Sequence, residues 1–292
     1  MTEICSWGGD WTSDKLERLR KYLHEYTKIM NKQPFQYFYV DAFAGTGYRA
    51  LKKEENFEKG YLLDFDLEDA HEFLDGSVRI ALQIKPQFKR YIFIEKDINR
   101  YHELEKIKDV FPHLKERINI ENSEANRYLQ DFCGKTNWYK TRAVLFLDPY
   151  GMEVSWDTIK SIANTKSIDV WILFPLGVAV NRLLRKDGNI DKVWRNKLDI
   201  FFGTSDWYDA FYRCEEEDTL FGVESRTKKV ANFPAIEKYF INRLKSLFPG
   251  VAENPLVLYN SKKNPLYLLC FAASNEKGAK TAIKIAKHIL SR

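Results

Sequence analysis

The run Asp41-Ala42-Phe43-Ala44-Gly45-Thr46-Gly47 joins an acid to small residues and two glycines. Gly45 and Gly47 let backbone approach a ligand where a Cβ would clash. Asp41 can accept from a ligand ammonium, directly or through water, and Phe43 and Ala44 complete the candidate binding loop; a plain tight turn is the competing reading. Glu95 ends the apolar run Tyr91-Ile92-Phe93-Ile94. A carboxylate there can accept from both hydroxyls of a ribose, in charge-assisted bonds of ~1.5–3 kcal/mol. Its alternative is a solvated strand-end acid paired with Arg100, with Asp97 as the next candidate ligand. Glu124, in Ser123-Glu124-Ala125, is either an acceptor for an adenine amino group or a first-turn helix acid stabilised by the macrodipole. Asp148-Pro149-Tyr150-Gly151 supplies a carboxylate, a carbonyl oriented by proline, and an aromatic. Together these suit an exocyclic amine, which must be held with its lone pair freed from ring conjugation while the base stacks. The bland reading is a strand-ending turn with a structural proline.

Gly45-Thr46-Gly47-Tyr48-Arg49-Ala50 also satisfies G-x-G-x-x-A, a dinucleotide fingerprint. That fingerprint wants its ribose acid about 20 residues on, whereas Glu95 lies roughly twice as far. An insertion is needed under either reading, so a nucleotide-dependent enzyme stays open on this motif alone.

These residues fall at or just after the ends of expected strands, where ligands bind in open α/β sheets. A helix capped at Thr12 or Ser13 is expected through Leu16, Leu19, Leu23, Tyr26 and Ile29 or Met30, stopped by Pro34. Strands are expected at Phe35–Val40, Tyr91–Glu95, Ile118–Asn122, Ala143–Leu147 and Asp169–Phe174. Helices are expected between them, from Gly76-Ser77 through Ile84, at Asp97–Val110, at Glu124–Phe132 and at Trp156–Ala163. Such alternation implies a parallel sheet with right-handed crossovers. Residues 52–75 read as an irregular, partly acidic insertion, and about 181–250 as a helical, basic one. Leu256–Tyr259 and Leu266–Phe271 read as a hairpin, covered by a last helix Lys277–Leu290. The expected architecture is one Rossmann-like domain over residues 1–292: a three-layer αβα sandwich whose mainly parallel seven-stranded sheet ends in a C-terminal β-hairpin.

The 292 residues are 45% hydrophobic and 30% charged, a globular composition able to bury a substantial core. A formal charge of +5 is too mild to imply nucleic acid by itself. Four scattered cysteines, Cys5, Cys133, Cys214 and Cys270, form no C-x-x-C pair and no zinc spacing. No metal is expected, and free thiols suit a reducing cytoplasm. The N-terminus lacks a signal pattern, and no apolar run approaches the roughly 20 residues of a membrane span. A cytoplasmic location without membrane association is the expectation.

Val40 to Gly47 resembles the first motif of class I amino-methyltransferases of DNA and RNA, and Asp148-Pro149-Tyr150 resembles their D-P-P-Y motif with one proline missing. The form Asp-Pro-aromatic-Gly is similar to that of tRNA dimethylguanosine methyltransferases. Over nearly the whole chain the closer resemblance is to the three-Cys-motif partner (TcmP) family. It rests on Trp11-Thr12 with Lys15-Leu16, Tyr39 to Gly47, Gly76-Ser77, Phe93 to Asp97, Leu147 to Trp156, Asp169 to Pro175 and Leu266 to Ser274. In that family the three cysteines belong to a partner protein. The resemblance implies S-adenosylmethionine binding at Asp41, Gly45, Gly47, Glu95 and Glu124; the leading expectation is methyl transfer to an exocyclic nitrogen of nucleic acid, with Asp148 positioning the amine, the Pro149 carbonyl assisting and Tyr150 stacking. A methyltransferase-fold partner of a three-Cys-motif protein that methylates nothing is the alternative. The missing second proline departs from the pattern of adenine and cytosine enzymes.

A basic cluster follows the fifth strand: Arg182, Arg185, Lys186, Lys192, Arg195 and Lys197, with Trp194 among them. Arg182, Arg185 and Arg195 are candidate phosphate contacts to DNA or RNA. A solvated helix face is the competing reading.

Overall fold

The computed structural model describes residues 10–46, 76–219 and 222–291; the expected insertion at 52–75, Gly47 and Cys5 lie outside these. Two compact units are distinguishable. The first holds the chain up to Tyr128 together with Lys140–Asp148, the second Leu129–Tyr139 and the chain from Pro149 onward.

The first unit begins with α1 (Asp10–Met30), which starts before Thr12 and Ser13, so neither is its cap. Then follow β1 (Gln36–Asp41), a helix α2 over 76–83, β2 (Arg90–Glu95), α3 (Ile98–Glu105), α4 (Ile107–Val110), a 3₁₀ turn, and β3 (Ile118–Asn122). Helix α5 (Ala125–Lys135) starts here, and β4 (Thr141–Leu147) completes the unit. Its four strands run parallel in the order β3-β2-β1-β4. In β4 all but Arg142 are buried, the near-continuous apolar pattern of a strand covered on both faces. Helix α1 lays Leu19, Tyr22, Leu23 and Tyr26 into the core, with Tyr26 stacked on Phe88 at 6.0 Å between centroids. Phe88 also meets Tyr37, Tyr39 and Tyr91 at 5.7–5.8 Å. A Cβ on Gly76 would lie 2.3 Å from Leu16 Cδ1, so α1 approaches the start of α2 closely and a larger residue there would make the Leu16 side chain shift.

The second unit contains α6 (Trp156–Asn164), β5 (Ile168–Phe174), a π-helical turn (Leu176–Val180) running into α7 (Asn181–Leu183), α8 (Lys192–Phe202) and α9 (Trp207–Phe211). There follow β6 (Tyr212–Thr219), β7 (Gly222–Lys229), α10 (Phe233–Lys245), β8 (Gly250–Val251), β9 (Leu256–Tyr259), β10 (Pro265–Ala273) and α11 (Glu276–Leu290). Strand β10 pairs antiparallel with β5, β8 and β9, so the expected terminal hairpin is β9–β10 and the last helix α11. Among the described residues the main-sheet strands number four in each unit, against seven expected, because the short β8 also joins β10. The region 181–250 is not helical throughout. Its middle is an antiparallel ribbon, β6–β7, in register from Tyr212↔Lys229. The cross-strand pair Glu215–Lys228, at 2.8 Å, joins residues far apart in sequence, which helical periodicity does not register.

Parallel strands separated by helices and followed by an antiparallel hairpin make this a mixed α/β, Rossmann-like fold. Among the described residues, no helix is long and apolar enough to cross a membrane.

Candidate active site at the carboxyl ends of the parallel strands

Strand register brings the predicted acids to one edge of the first unit. Asp41 pairs across from Phe93 of β2 and Phe146 of β4. Glu95 therefore lies two residues beyond Asp41 on one side, and Asp148 two residues beyond on the other. Three acids distant in sequence end three adjacent strands.

The loop after β1 is tied to its neighbours by backbone. Ala42 N–H donates to Phe146 O at 3.2 Å and Ala44 N–H to Ile94 O at 3.0 Å. Gly45 has φ +63°, in the left-handed region where a side chain is strained. Its N–H donates to Glu95 Oε2 at 3.1 Å, while Asp97 N–H donates to Oε1 at 2.9 Å. Glu95, 7% exposed, thus clamps the glycine loop to the end of β2 instead of standing as a solvated acid. Asp97 caps α3, accepting from Arg100 N at 2.9 Å. Glu124 is exposed and caps α5, accepting from the Asn126 and Arg127 amides at 2.9 Å each. Partial burial pushes its pKa up, but these bonds outweigh that and hold it below the ordinary value.

Asp41 is fully buried. It accepts from Phe43 N at 3.2 Å, from the Tyr39 hydroxyl at 3.4 Å and from Ser77. Burial still pushes it from 3.8 to about 6. The Tyr39 phenol, buried against this acid, is displaced well above its usual range.

Sequence reasoning did not mark Lys15 as part of this site. It is 0% exposed, and its Nζ donates to Asp148 Oδ2 at 2.9 Å, with Asp148 4% exposed. Nζ also lies 5.1 Å from the Phe146 ring centroid. Burial pulls the ammonium down to about 7, opposed by Asp148 and Asp41. Burial likewise pushes Asp148 up to about 7, opposed by Lys15 and reinforced by Asp41. The signal was available: Lys15 stands four residues before Leu19 and eight before Leu23, on the apolar stripe of α1. A lysine there must find a counter-charge.

Pro149 is buried and Tyr150 is 41% exposed. A Cβ on Gly151 would meet nothing within 4 Å, and its φ is not left-handed, so the turn does not itself require glycine. The basic residues are exposed but engaged: Arg185 pairs with Asp187 at 3.3 Å, and the Arg195 guanidinium lies 4.2 Å from the Tyr208 ring centroid. Arg182 is also exposed. Gly47 lies outside the described residues.

Neither a protein-family model nor a curated protein sequence matches the chain significantly. Among solved structures, a DUF519 protein from Legionella pneumophila is 16% identical, with 82% of this chain and 93% of that one covered and a TM-score of 0.40. A putative methyltransferase, yhhF, from Escherichia coli is 11% identical over 74% of this chain and 88% of its own, with a TM-score of 0.30. Spermidine synthase from Thermotoga maritima is 10% identical, with 91% and 60% covered and a TM-score of 0.39. At these identities and scores the likeness carries no argument about activity.

Proposed function

We propose that the protein is an S-adenosylmethionine-dependent methyltransferase acting on an exocyclic amine of a nucleobase in DNA or RNA. The observation that carries this reading is the convergence of Asp41, Glu95 and Asp148 on the ends of three adjacent parallel strands, beside a loop with left-handed Gly45. With Lys15, these groups include three acids and one base, a balance suited to a ligand bearing sulfonium and ammonium charges. The residues fit that cofactor. Asp41 would face its ammonium, Glu95 its ribose, and the loop Phe43-Ala44-Gly45-Gly47 its backbone-contacting side, with Glu124 toward the adenine. S-adenosylmethionine supplies the electrophilic methyl group. Asp148 and the Pro149 carbonyl would accept from the amine N–H groups and turn the nitrogen lone pair outward. Tyr150, exposed, would stack on the base. Arg182, Arg185 and Arg195 would meet phosphates.

A second reading has one specific observation in its favour: Asp148 is closed off by Lys15 and hardly exposed. In it, the chain is a methyltransferase-fold partner of a three-Cys-motif protein, as the family resemblance implies, and transfers no methyl group.

Calorimetric titration with S-adenosylmethionine, S-adenosylhomocysteine and NAD tests the cofactor, and radiolabelled methyl transfer to total RNA and DNA tests the reaction. Binding of the first two but not NAD, with label entering nucleic acid, is expected. Cofactor binding without any transfer favours the silent partner, and binding of NAD alone overturns both readings.

A further inference from the structure

The Lys15–Asp148 pair joins α1 to the end of β4 and is out of water at both ends. Lys15 bonds Oδ2 of Asp148, so Oδ1 is the oxygen left for a further donor. The groups acting on Asp148 are Lys15 from α1 and Asp41 and Tyr39 from β1. Asp41 is itself an acid and the Tyr39 phenol is neutral. Among the described residues, Lys15 is therefore the cation that opposes both burial and Asp41, each of which favours the protonated acid at Asp148. A protonated Asp148 would carry a donor on one oxygen and lose acceptor strength toward an amine.

We propose that Lys15 is a positioning residue: its ion pair keeps Asp148 in the ionised, acceptor-only form and commits one carboxylate oxygen to the protein, leaving the other to orient the substrate amine. This rests on the assignment of Asp148 to an amine site. The side chain acts through Asp148 and needs no contact with substrate. A hydrophobic residue of similar length would pack the same space, so the cost of a buried pair is otherwise unexplained.

The test compares wild type with Lys15→Met in the full chain. The ionisation of Asp148 is followed by carboxyl ¹³C NMR, assigned with Asp148→Asn, and methyl transfer is measured against pH. Loss of a cation at this range is expected to raise the Asp148 midpoint by about 1–3 pH units. The acid limb of the turnover profile should move up with it, while cofactor affinity stays unchanged. Lys15→Arg should restore most of the wild-type profile. Lys15→Gln, a shorter side chain that keeps an N–H donor and removes the charge, should show the same upward shift and serves where Lys15→Met does not fold. An Asp148 midpoint unmoved in the charge-removing variants overturns the proposal, as does a lowered turnover with an unmoved pH profile. If wild type transfers no methyl group, the amine-site assignment falls and takes the positioning role with it; the NMR titration then still reads the electrostatic coupling separately.

Discussion

At the residue scale, the site is a set of buried acids whose partners are backbone amides, the hydroxyls of Tyr39 and Ser77, and one lysine. Glu95 clamps Gly45 and Asp97. Glu95→Ala should therefore weaken S-adenosylmethionine binding by ~1.5–3 kcal/mol, the range for a charged hydrogen bond. Calorimetry on the folded variant checks this, and unchanged affinity would remove Glu95 from the ribose role. Asp148→Ala is a poor probe because it strands a buried ammonium. Asp148→Asn retains an acceptor for Lys15 and should leave cofactor affinity nearly unchanged while lowering turnover on the order of 10²-fold. Asp41 makes a pH prediction. Its folded-state value, about 6, is raised above the ordinary 3.8. Its contribution to stability is thus fully present below the unfolded value and is lost as pH rises through about 6. A shift of roughly two units corresponds to about 3 kcal/mol. Urea unfolding at pH 4 and pH 7 should show Asp41→Asn gaining on wild type by up to about that amount at the higher pH. Parallel pH dependence in the two proteins would show that Asp41 carries no such cost.

At the element scale, helix ends and glycine contacts make the structure specific. Glu124 caps α5 through two amides. Glu124→Ala should cost ~1 kcal/mol in stability, as lost caps do, and thermal unfolding will read it. If cofactor affinity falls as well, the adenine role stands beside the cap; if only stability falls, the cap is its whole role. Helix α8 ends at Gly203, with φ +69°, where a Cβ would lie 2.1 Å from Trp156 Cδ1. Two demands, a left-handed backbone and contact with an indole, converge on that position.

At the scale of the whole molecule, a formal charge of +5 is modest, so any nucleic-acid affinity must come from local clusters. Arg185 and Arg195 are exposed, yet each already has a partner in Asp187 or Tyr208. If they contact phosphate, Arg185→Ala and Arg195→Ala should each reduce the salt slope of RNA or DNA binding by about one unit. Filter binding across a salt series measures this. No binding by wild type at low salt would remove nucleic acid as the substrate.

Much of the architecture could be read from local pattern alone. The strands Tyr91–Glu95 and Ala143–Leu147, the terminal hairpin, and acids placed at strand ends all follow from short apolar runs broken by turn residues. The left-handed Gly45 is foreshadowed by its small-residue loop. Other features depend on contacts distant in sequence. The β6–β7 ribbon rests on backbone pairing from Tyr212↔Lys229 to Thr219↔Gly222, which the helical pattern along 181–250 does not register. The role of Lys15 is of the same kind. Its place on an apolar stripe announces a buried charge, but only folding sets it 2.9 Å from Asp148, 133 residues away in the chain. Sequence decides which residues must leave water; tertiary structure decides which charge compensates them, because that partner is chosen by register and packing, not by proximity along the chain.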